Sequence, residues 1–267
     1  MTVSVPWTAD STLAGAVRPS PNHDERRGRI TPDSLVLHYT GMADGLSALA
    51  WLCDTASQVS CHYLVGEDGT VVQLVSEARR AWHAGQSVWA GKADMNSASV
   101  GIEIVNGGHA FGLPAFPDPQ IAAVIALCRD IAARHAIAPE RVLAHSDIAP
   151  RRKQDPGERF PWRALAEEGI CLWVPPCDEA AAVLACGTSS DEVEILRADL
   201  ARYGYGLDVG PLYDDATAVV VSAFQRRFRP WRVDGAADAG TLDTLARLLD
   251  LRFAPLNADR APARSPV

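Results

Sequence analysis

Apolar and polar positions along the first two thirds of the chain predict alternating strands and helices. Residues 34–40 (SLVLHYT) form a short apolar run with a polar end, the pattern of a buried strand, and residues 99–106 (SVGIEIVN) form another. In residues 61–75, two β-rich runs flank a turn at which Gly69 supplies the positive φ that a hairpin needs. These segments predict strands of one larger sheet.

Two segments between these strands have helical periodicity. Residues 118–137 predict a long amphipathic helix that begins with an Asp-Pro cap. Residues 44–55 predict a shorter helix, whose apolar residues at helical spacing are Leu46, Leu49, Ala50 and Cys53. Because strands and helices interleave, we expect a mixed α/β domain (α/β or α+β) with a central mixed sheet flanked by helices.

The last third of the chain has a different pattern, with three short apolar stripes at helical spacing. The stripes are Val193, Leu196 and Leu200; Val220, Phe224 and Phe228; and Leu242, Leu245 and Leu249. This pattern predicts a small independent three-helix domain without a catalytic cluster. The predicted organisation is an N-terminal arm (1–30), the mixed α/β domain (31–173), a linker with a short helical piece (174–190), the three-helix domain (191–252) and a disordered tail (253–267).

Composition and charge exclude some classes of protein. The chain has 267 residues, 48% of them hydrophobic, which is enough to bury a substantial core. Its formal net charge of −8 argues against a nucleic-acid-binding protein. No window reaches the roughly 18 apolar residues of a membrane helix, and residues 1–30 lack the apolar run of an export signal. We therefore expect a cytoplasmic protein without nucleic-acid or membrane partners, with a monomer as the default state.

The six cysteines show no CxxC spacing. Since three of them lie inside apolar segments, where a thiol behaves as a small hydrophobe, we expect reduced cysteines. A Cys171–Cys177 or a Cys177–Cys186 disulfide is the alternative. Reduced thiols agree with the expected cytoplasmic location.

Candidate chemistry is concentrated at three positions of the α/β domain. His38 ends an apolar strand, and the segment HSDIAPRRKQDPG (145–157) contains His145 and Asp155. Two imidazoles and one carboxylate leave one position of a tetrahedral zinc site open, as catalytic sites do, and they suit Zn²⁺ better than Mg²⁺ or Ca²⁺. Taken singly, however, a strand-end histidine is more often a hydrogen-bonded boundary residue, and an aspartate before proline is usually a turn former.

The other histidines leave the ligand set open at this point. His23 lies in the N-terminal arm, His109 in a Gly-rich loop and His135 at a helix C-terminus, and we interpret these three as non-ligands. Spacing alone does not exclude His62 or His83.

Glu103 and Lys153 are two further candidates. Glu103 lies in the middle of a predicted strand, where an unpaired buried carboxylate is costly and needs water, a cation or a function. The alternative is a residue on a solvent-facing side of the strand. Lys153 lies between two possible ligands and is able to reach the same cavity and stabilise an anion, although such a lysine is usually a surface charge.

Five motifs occur in the order LVLHYT, CHYLVGEDGTVVQLV, AWHAG, SVGIEIVN and LAHSDIAPRRKQDPG, within roughly residues 31–165. Together they resemble the type 2 N-acetylmuramoyl-L-alanine amidases, the zinc amidases related to peptidoglycan recognition proteins. The resemblance implies one zinc ion per chain, bound by His38, His145 and Asp155.

The resemblance also implies roles for other residues. Glu103 is expected to accept the proton of a zinc-activated water and pass it to the leaving amine, while Lys153 stabilises the tetrahedral oxyanion. Trp82, His83 and Asn106 are expected to line the substrate groove.

The C-terminal segments VEILRADLARYGY, GPLYDDATAVVVSAFQRRF and VDGAADAGTLDTLARLL resemble the three-helix peptidoglycan-binding domain type 1. The usual D-G-x-F-G turn is replaced here by VGPLYD (209–214). The resemblance therefore predicts the fold of this domain more than retained binding.

From these features we expect a zinc amidase that cleaves the amide between N-acetylmuramic acid and L-alanine in soluble 1,6-anhydro-muropeptides, for peptidoglycan recycling. Three alternatives stay open: a protein that recognises muropeptide or peptidoglycan without cutting it, an exported amidase acting on polymeric peptidoglycan, and a zinc peptidase that cuts within the stem peptide.

Overall fold

The computed structural model describes residues 7–28, 31–178, 181 and 183–254, and its main feature is a six-stranded sheet flanked by helices. In these residues the strands are β1 (Ala16–Val17), β2 (His23–Glu25), β3 (Ser34–Tyr39), β4 (Tyr63–Val65), β5 (Val71–Gln73), β6 (Arg79–Ala81), β7 (Ser99–Ile104) and β8 (Val142–Ala144). The α-helices there are α1 (Gly45–Cys53), α2 (Met95–Ala98), α3 (Asp118–His135), α4 (His145–Ile148), α5 (Trp162–Glu167), α6 (Asp191–Tyr203), α7 (Asp215–Phe228) and α8 (Ala239–Phe253). The expected mixed α/β fold with three C-terminal helices is confirmed. The predicted arm and tail fall partly outside the described residues.

Parallel pairing dominates the sheet, whose strand order is β1-β5-β4-β7-β3-β8. The central strand β3 is parallel to both β7 and β8, and β4 is parallel to β7. β4 and β5 pair antiparallel as the predicted hairpin, and Gly69 in its turn has a φ of 85°. Most residues of β3 and β7 are buried, as expected for parallel strands that are covered on both faces.

The described part of the N-terminal arm is built into the sheets. β1 extends the main sheet by pairing parallel with β5, and β2 forms a separate two-stranded antiparallel sheet with β6. The buried Asn22 donates from Nδ2 to the carbonyl oxygens of Asp54 and Val59, both at 2.8 Å. These bonds fix the arm against the region that follows α1.

Helix α1 is capped by an aspartate and buries one narrow face. Asp44 caps its N-terminus by accepting a hydrogen bond from the Ser47 amide at 2.8 Å. Ala48 and Leu52, one turn apart, are the buried residues, whereas Leu46 is 81% exposed. The predicted helix is confirmed, and it presents the face of Ala48 to the protein.

Helix α3 begins at Asp118, with Pro119 as its second residue. The sequence predicted an Asp-Pro cap. In the structure, Pro117 is the N-cap without a side-chain capping bond, and Asp118 lies in the first turn. An acidic residue and a proline both suit a first helical turn. The apolar residues that α3 buries against the sheet are Ile121, Val124, Leu127, Cys128 and Ile131.

The three C-terminal helices bury the predicted stripes, but they do so in a core shared with the sheet. That core joins Leu196 and Phe224 of the helices to Val36 and Leu143 of β3 and β8. The neighbouring strand residues point into the opposite core under α3, as strand alternation requires. Trp89 is fully buried in the shared core. The expectation of an independent helical domain is therefore corrected: the helices form the cover of one sheet face.

A buried arginine crosses this shared core. Arg227 of α7 donates to the carbonyl oxygens of Val142 and Leu172, each at 3.0 Å. Its Nη1 also lies 3.2 Å from Oδ2 of Asp147 in α4. The other carboxylate oxygen of Asp147 accepts a hydrogen bond from the Tyr205 hydroxyl at 2.8 Å. The C-terminal helices therefore hold the short helix α4 in place.

The described residues of the predicted linker (174–190) contain no helix. Leu184 forms an isolated antiparallel bridge with Ala237. The predicted helical piece falls partly on the three linker residues that lie outside the described part. All six cysteines are free thiols, as expected. Among the described helices, none has the length and apolarity that crossing a membrane requires.

Candidate active site

Three strands bring the candidate residues to one edge of the sheet. His38 is the penultimate residue of β3 and lies directly beside Glu103 of β7 in the parallel register, and His145 follows β8 as the first residue of α4. Because the carboxyl ends of parallel strands open on the same edge, the polar residues that follow the apolar runs meet there. Asp155 reaches this edge from the loop after α4, where its backbone carbonyl accepts a hydrogen bond from the Ser146 amide at 3.0 Å.

His38, His145 and Asp155 place three possible metal-ligand atoms close together. Nδ1 of His38 is 2.8 Å from Nδ1 of His145. Oδ2 of Asp155 is 3.0 Å from the first nitrogen and 2.9 Å from the second. All three residues are buried. The structure thus brings together the three residues that the sequence proposed as ligands.

A chain of hydrogen bonds sets the tautomer of His38. The Ser99 hydroxyl donates to the Met95 carbonyl at 2.5 Å, so it accepts from Nε2 of His83, which lies 3.2 Å away. Nδ1 of His83 is then an acceptor, and the atom 3.0 Å from it, Nε2 of His38, is the donor. Nδ1 of His38 is left with a free lone pair that points at the other two ligand atoms.

His145 is oriented in the same sense by a backbone carbonyl. Its Nε2 lies 3.2 Å from the carbonyl oxygen of Ala84, which can only accept, so Nε2 carries the proton and Nδ1 is unprotonated. Two lone pairs and a carboxylate oxygen then face one another within 3.0 Å. A cation between them removes this repulsion.

The donor set fits zinc. Zinc bonds of about 2.0–2.1 Å in a tetrahedral site put neighbouring ligand atoms about 3.3 Å apart, close to the spacing of these three atoms. Neutral imidazole with carboxylate is a donor set that Mg²⁺ and Ca²⁺ do not prefer. Burial lowers the pKa of His38 to about 4, which keeps His38 neutral and able to bind a metal at neutral pH.

Glu103 lies beside the three ligands without being one of them. Its Oε2 is buried and has no hydrogen-bond partner among the described residues. Burial raises the pKa of Glu103 well above its ordinary value, and the charge of Asp155 adds to this effect, while the ammonium of Lys153 opposes it. The solvent-facing alternative for Glu103 is therefore not what the structure shows.

A cavity of about 340 Å³ joins the ligands to their neighbours. Its polar lining includes Glu103, His145, Lys153 and Asp155, and its aromatic lining includes Tyr39, Trp51 and Trp82. The predicted catalytic lysine therefore faces the same space as the predicted acid–base glutamate. The cavity offers one carboxylate, one ammonium and a metal site around a single substrate-sized volume.

The three residues predicted to line the groove have different positions. Trp82 lines the cavity, and its Nε1 donates to Oδ1 of Asp24 at 3.3 Å. His83 also touches the cavity, but both ring nitrogens are used in the chain that orients His38. Asn106 is outside the lining of this cavity: it is buried, and its amide bonds to the Pro114 carbonyl and the Gly108 amide shape the following loop.

The remaining histidines have other partners. His23 accepts from Arg79 at 3.3 Å, and His135 lies 2.5 Å from Oε2 of Glu77. Nδ1 of His109 lies 3.0 Å from the Tyr39 hydroxyl, and its Nε2 lies 3.0 Å from Oε2 of Glu158. His62, which the sequence left open, accepts from a backbone amide at Nδ1 and faces the Arg79 carbonyl with Nε2. Its polar atoms are therefore directed away from the ligand cluster.

The sequence analysis did not identify Ser99, which orients His83, or the space that the His83 ring occupies. Ser99 opens a strand like any small polar residue, and the pattern around it gives no sign of a histidine partner. Gly101 permits the arrangement, because a Cβ at that position would lie 2.4 Å from Cγ of His83. The glycine of the G-I-E strand was the available signal that a ring packs there.

Two family models match the chain. The model of the N-acetylmuramoyl-L-alanine amidases matches residues 28–158, and that of a peptidoglycan binding domain matches residues 189–245. The first range contains the three ligands together with Glu103 and Lys153.

The N-acetylmuramoyl-L-alanine amidase AmiD of Escherichia coli (strain K12) is 43% identical to this chain over an alignment of 232 residues, and the match covers 81% of this chain and 82% of AmiD. The chain belongs to the N-acetylmuramoyl-L-alanine amidase family. This amidase is also 33% identical over 168 residues to the 1,6-anhydro-N-acetylmuramyl-L-alanine amidase AmpD of the same strain, covering 56% of this chain and 90% of AmpD.

A solved amidase structure has the same fold. It is AmiD from E. coli in complex with the substrate anhydro-N-acetylmuramic acid-L-Ala-D-γ-Glu-L-Lys, with a TM-score of 0.70 and 38% sequence identity. The match covers 88% of this amidase and 93% of that chain. The likeness therefore extends through the α/β part and into the C-terminal helices.

Proposed function

We propose that this amidase uses zinc to hydrolyse the amide between N-acetylmuramic acid and L-alanine in soluble 1,6-anhydro-muropeptides, a reaction of peptidoglycan recycling. The observation that carries the proposal is a cluster of three metal-ligand atoms, two of whose residues line the same cavity as Glu103, a carboxyl with an unpartnered Oε2 among the described residues. Two relatives support the choice of substrate. AmiD was solved with an anhydro-muropeptide, and AmpD is a 1,6-anhydro-muramyl amidase by name.

The proposed metal site consists of His38, His145 and Asp155, with one zinc ion per chain. Three protein ligands leave the fourth tetrahedral position to water or substrate, as in catalytic zinc sites. When bound, zinc supplies the Lewis acidity that acidifies a water and polarises the scissile carbonyl. The hydrogen bonds to His83 and to the Ala84 carbonyl present the correct nitrogen of each imidazole to the metal.

Glu103 is the proposed acid–base group. Burial raises the pKa of Glu103 well above its ordinary value, and a carboxyl with a raised pKa is able to give up as well as accept a proton during the reaction. Its Oε2, which has no partner among the described residues, takes a proton from the attacking water and delivers it to the nitrogen of the leaving L-alanine. The amide bond then breaks with a neutral amine as the leaving group.

Lys153 is the proposed electrostatic partner of Glu103. Its side chain lines the same cavity, and a fixed ammonium there stabilises the negative charge that develops on the carbonyl oxygen. Trp82 and Trp51 offer apolar walls for the sugar or the peptide. We assign His83 to the orientation of His38 and Asn106 to the shape of the neighbouring loop, and not to direct contact with substrate.

Digestion of purified anhydro-muropeptides followed by mass spectrometry tests this function. The zinc-loaded protein should release the intact stem peptide and the free anhydro-sugar. Peptide fragments that are cut inside the stem would instead support the peptidase alternative, and uncut substrate would contradict the proposed reaction. A sample with verified metal removal should be inactive, and added zinc should restore it.

Cytoplasmic residence stays a prediction of the sequence and is part of the recycling proposal. Fractionation of cells that produce the full-length tagged protein tests it. Recovery mainly in the envelope, together with faster turnover of intact sacculi than of soluble anhydro-muropeptides, would favour the exported amidase instead.

A further inference from the structure

A second cavity of about 370 Å³ adjoins the catalytic one and is closed on one side by helix α7. Tyr39, Lys153 and Asp155 line both cavities, so the two spaces meet at the candidate catalytic groups. Arg226 is the residue that α7 contributes. A ligand bound at the metal site is therefore able to extend toward a side chain of the C-terminal helices.

The lining of this second cavity is cationic in a protein whose net charge is −8. Arg151, Arg152, Lys153 and Arg226 all contribute to it. Arg152 is already used, since it donates to the backbone carbonyls of Ala84 and Gln86. The concentration of positive charge at one site of an acidic protein indicates a negatively charged ligand.

Arg226 is the group in this cavity that most needs a partner. Its side chain is half-buried, yet its guanidinium makes no hydrogen bond or ion pair within residues 7–28, 31–178, 181 and 183–254. Burial lowers the pKa of Arg226, against the opposing effect of the charge of Glu158. Nε2 of His109 lies 3.0 Å from that carboxylate, so Glu158 is engaged elsewhere.

The next residue along α7 shows the contrast. Arg227 is completely buried, and its guanidinium is surrounded by two carbonyl oxygens, a carboxylate and the Trp162 ring at 4.0 Å. Arg227 is therefore a structural arginine, whereas Arg226 lines an accessible cavity. Partial burial of a cation without a partner is costly unless a ligand supplies the anion.

We propose that Arg226, assisted by Arg151, binds a carboxylate of the stem peptide and so positions the substrate for cleavage. The proposal rests on the proposed muropeptide substrate. A stem such as L-Ala-D-γ-Glu-L-Lys carries an α-carboxylate on its γ-linked glutamate and another at its C-terminus. A planar guanidinium recognises a carboxylate through two parallel hydrogen bonds. The C-terminal helices then contribute directly to the substrate site as well as covering the sheet.

Steady-state kinetics with matched substrates test the proposal. The substrates are anhydro-muropeptides with free carboxylates and versions in which either carboxylate is replaced by an amide. Arg226→Met should raise KM for the free carboxylate substrate by about 10- to 100-fold, with kcat changed less than about twofold, because a charged hydrogen bond to the peptide is lost. Arg226→Lys should show an intermediate KM.

The amide substrates identify which carboxylate is bound. With the wild-type enzyme, replacing the bound carboxylate by an amide should raise KM about as much as Arg226→Met raises it for the free carboxylate substrate. With the Arg226→Met enzyme, the same change of substrate should leave KM almost unchanged. Arg163→Met, which removes an exposed cation of α5, is the matched control and should leave KM unchanged. Zinc content and thermal unfolding of each variant show whether it is folded.

Three outcomes are distinguishable. If the wild type fails to release stem peptide from any substrate, the proposed function itself is wrong. If the wild type is active but neither amide substitution raises KM, the carboxylate site is wrong, and this result needs no variant to fold. If Arg226→Met lowers kcat and zinc content without changing KM, Arg226 has only a structural role and the proposal is overturned.

Discussion

Nη1 of Arg227 lies 3.2 Å from Oδ2 of Asp147, and both side chains are buried in the core between the sheet and the C-terminal helices. Asp147 is two residues from His145, and the same oxygen also accepts a hydrogen bond from the Ala144 amide at 2.9 Å. The ion pair therefore links α7 to the turn that carries a proposed metal ligand. It explains how a region that contributes none of the three proposed ligands supports the proposed metal site.

Replacing Arg227 tests this link. Arg227→Met leaves Asp147 buried without its guanidinium, which should cost about 3–5 kcal/mol of unfolding free energy. Zinc affinity should fall as well, because α4 loses its support. Equilibrium unfolding in urea and zinc titration measure the two effects. The double variant Arg227→Met with Asp147→Asn should recover part of the stability, and Arg247→Met, which removes a partly exposed ion pair of α8, should cost much less.

The shared core could not be predicted from the pattern of the sequence. The stripes containing Leu196, Phe224 and Leu245 identify three amphipathic helices correctly, but an apolar stripe does not say which surface covers it. Trp89 gave no sign of packing against these helices, because it lies in an irregular segment between α/β motifs. The ring of Trp89 contacts that of Tyr205 edge-on, with centroids 5.1 Å apart, and this contact exists only in the tertiary structure.

Glu103→Gln should separate catalysis from metal binding. The amide keeps the shape of the side chain but cannot carry the proton, so kcat should fall about 10²-fold or more. Zinc content should stay near one per chain, since the ligand atoms belong to other residues. Metal analysis and single-turnover kinetics measure both. A metal-free Glu103→Gln protein would show that the ligand assignment is wrong, and full activity would show that the acid–base assignment is wrong.

Ser99→Ala tests the chain that orients His38. Without the hydroxyl, Nε2 of His83 loses its acceptor, and the opposite tautomer would force the proton of His38 onto Nδ1, the proposed ligand atom. Zinc affinity should fall by about 10- to 100-fold, as for other outer partners of metal ligands. Competition with a chelator measures it. Ser222→Ala, whose hydroxyl bonds within α7, is the control; equal affinities of the two variants would contradict the proposed chain.

The candidate site was predictable to different extents for different residues. His38 lies near the end of β3 and His145 directly follows β8, and parallel strands bring such ends to one edge, so their meeting followed from pattern and motif. Asn106 was not predictable in this way, because whether an amide faces a groove or its own loop depends on a loop path that periodicity does not encode. Arg226 lies on a helix whose docking position was unknown from sequence.

Glu77 makes stability depend on pH at a place remote from the catalytic cavity. It is 3% exposed, and the side chains that bond its carboxylate are Arg134, Tyr63 and His135. Burial alone would raise the pKa of Glu77, but these hydrogen bonds, with that of Arg134 first, lower it from 4.5 to about 2. The carboxylate therefore binds protons more weakly in the folded chain than in the unfolded one.

The sign of the effect follows from that difference. The stabilisation is complete above the unfolded pKa of 4.5 and is lost as the pH falls toward about 2, and it amounts to something on the order of 3 kcal/mol. Glu77→Gln should be less stable than the wild type at pH 7, and the gap between them should close between about pH 5 and pH 2. Urea unfolding of both proteins across this range measures it. As a control, Glu167→Gln breaks an exposed pair with Arg163, and its unfolding free energy should change with pH as that of the wild type does. If the difference in unfolding free energy between Glu77→Gln and the wild type stays constant with pH, the carboxylate of Glu77 is not held ionised by its partners.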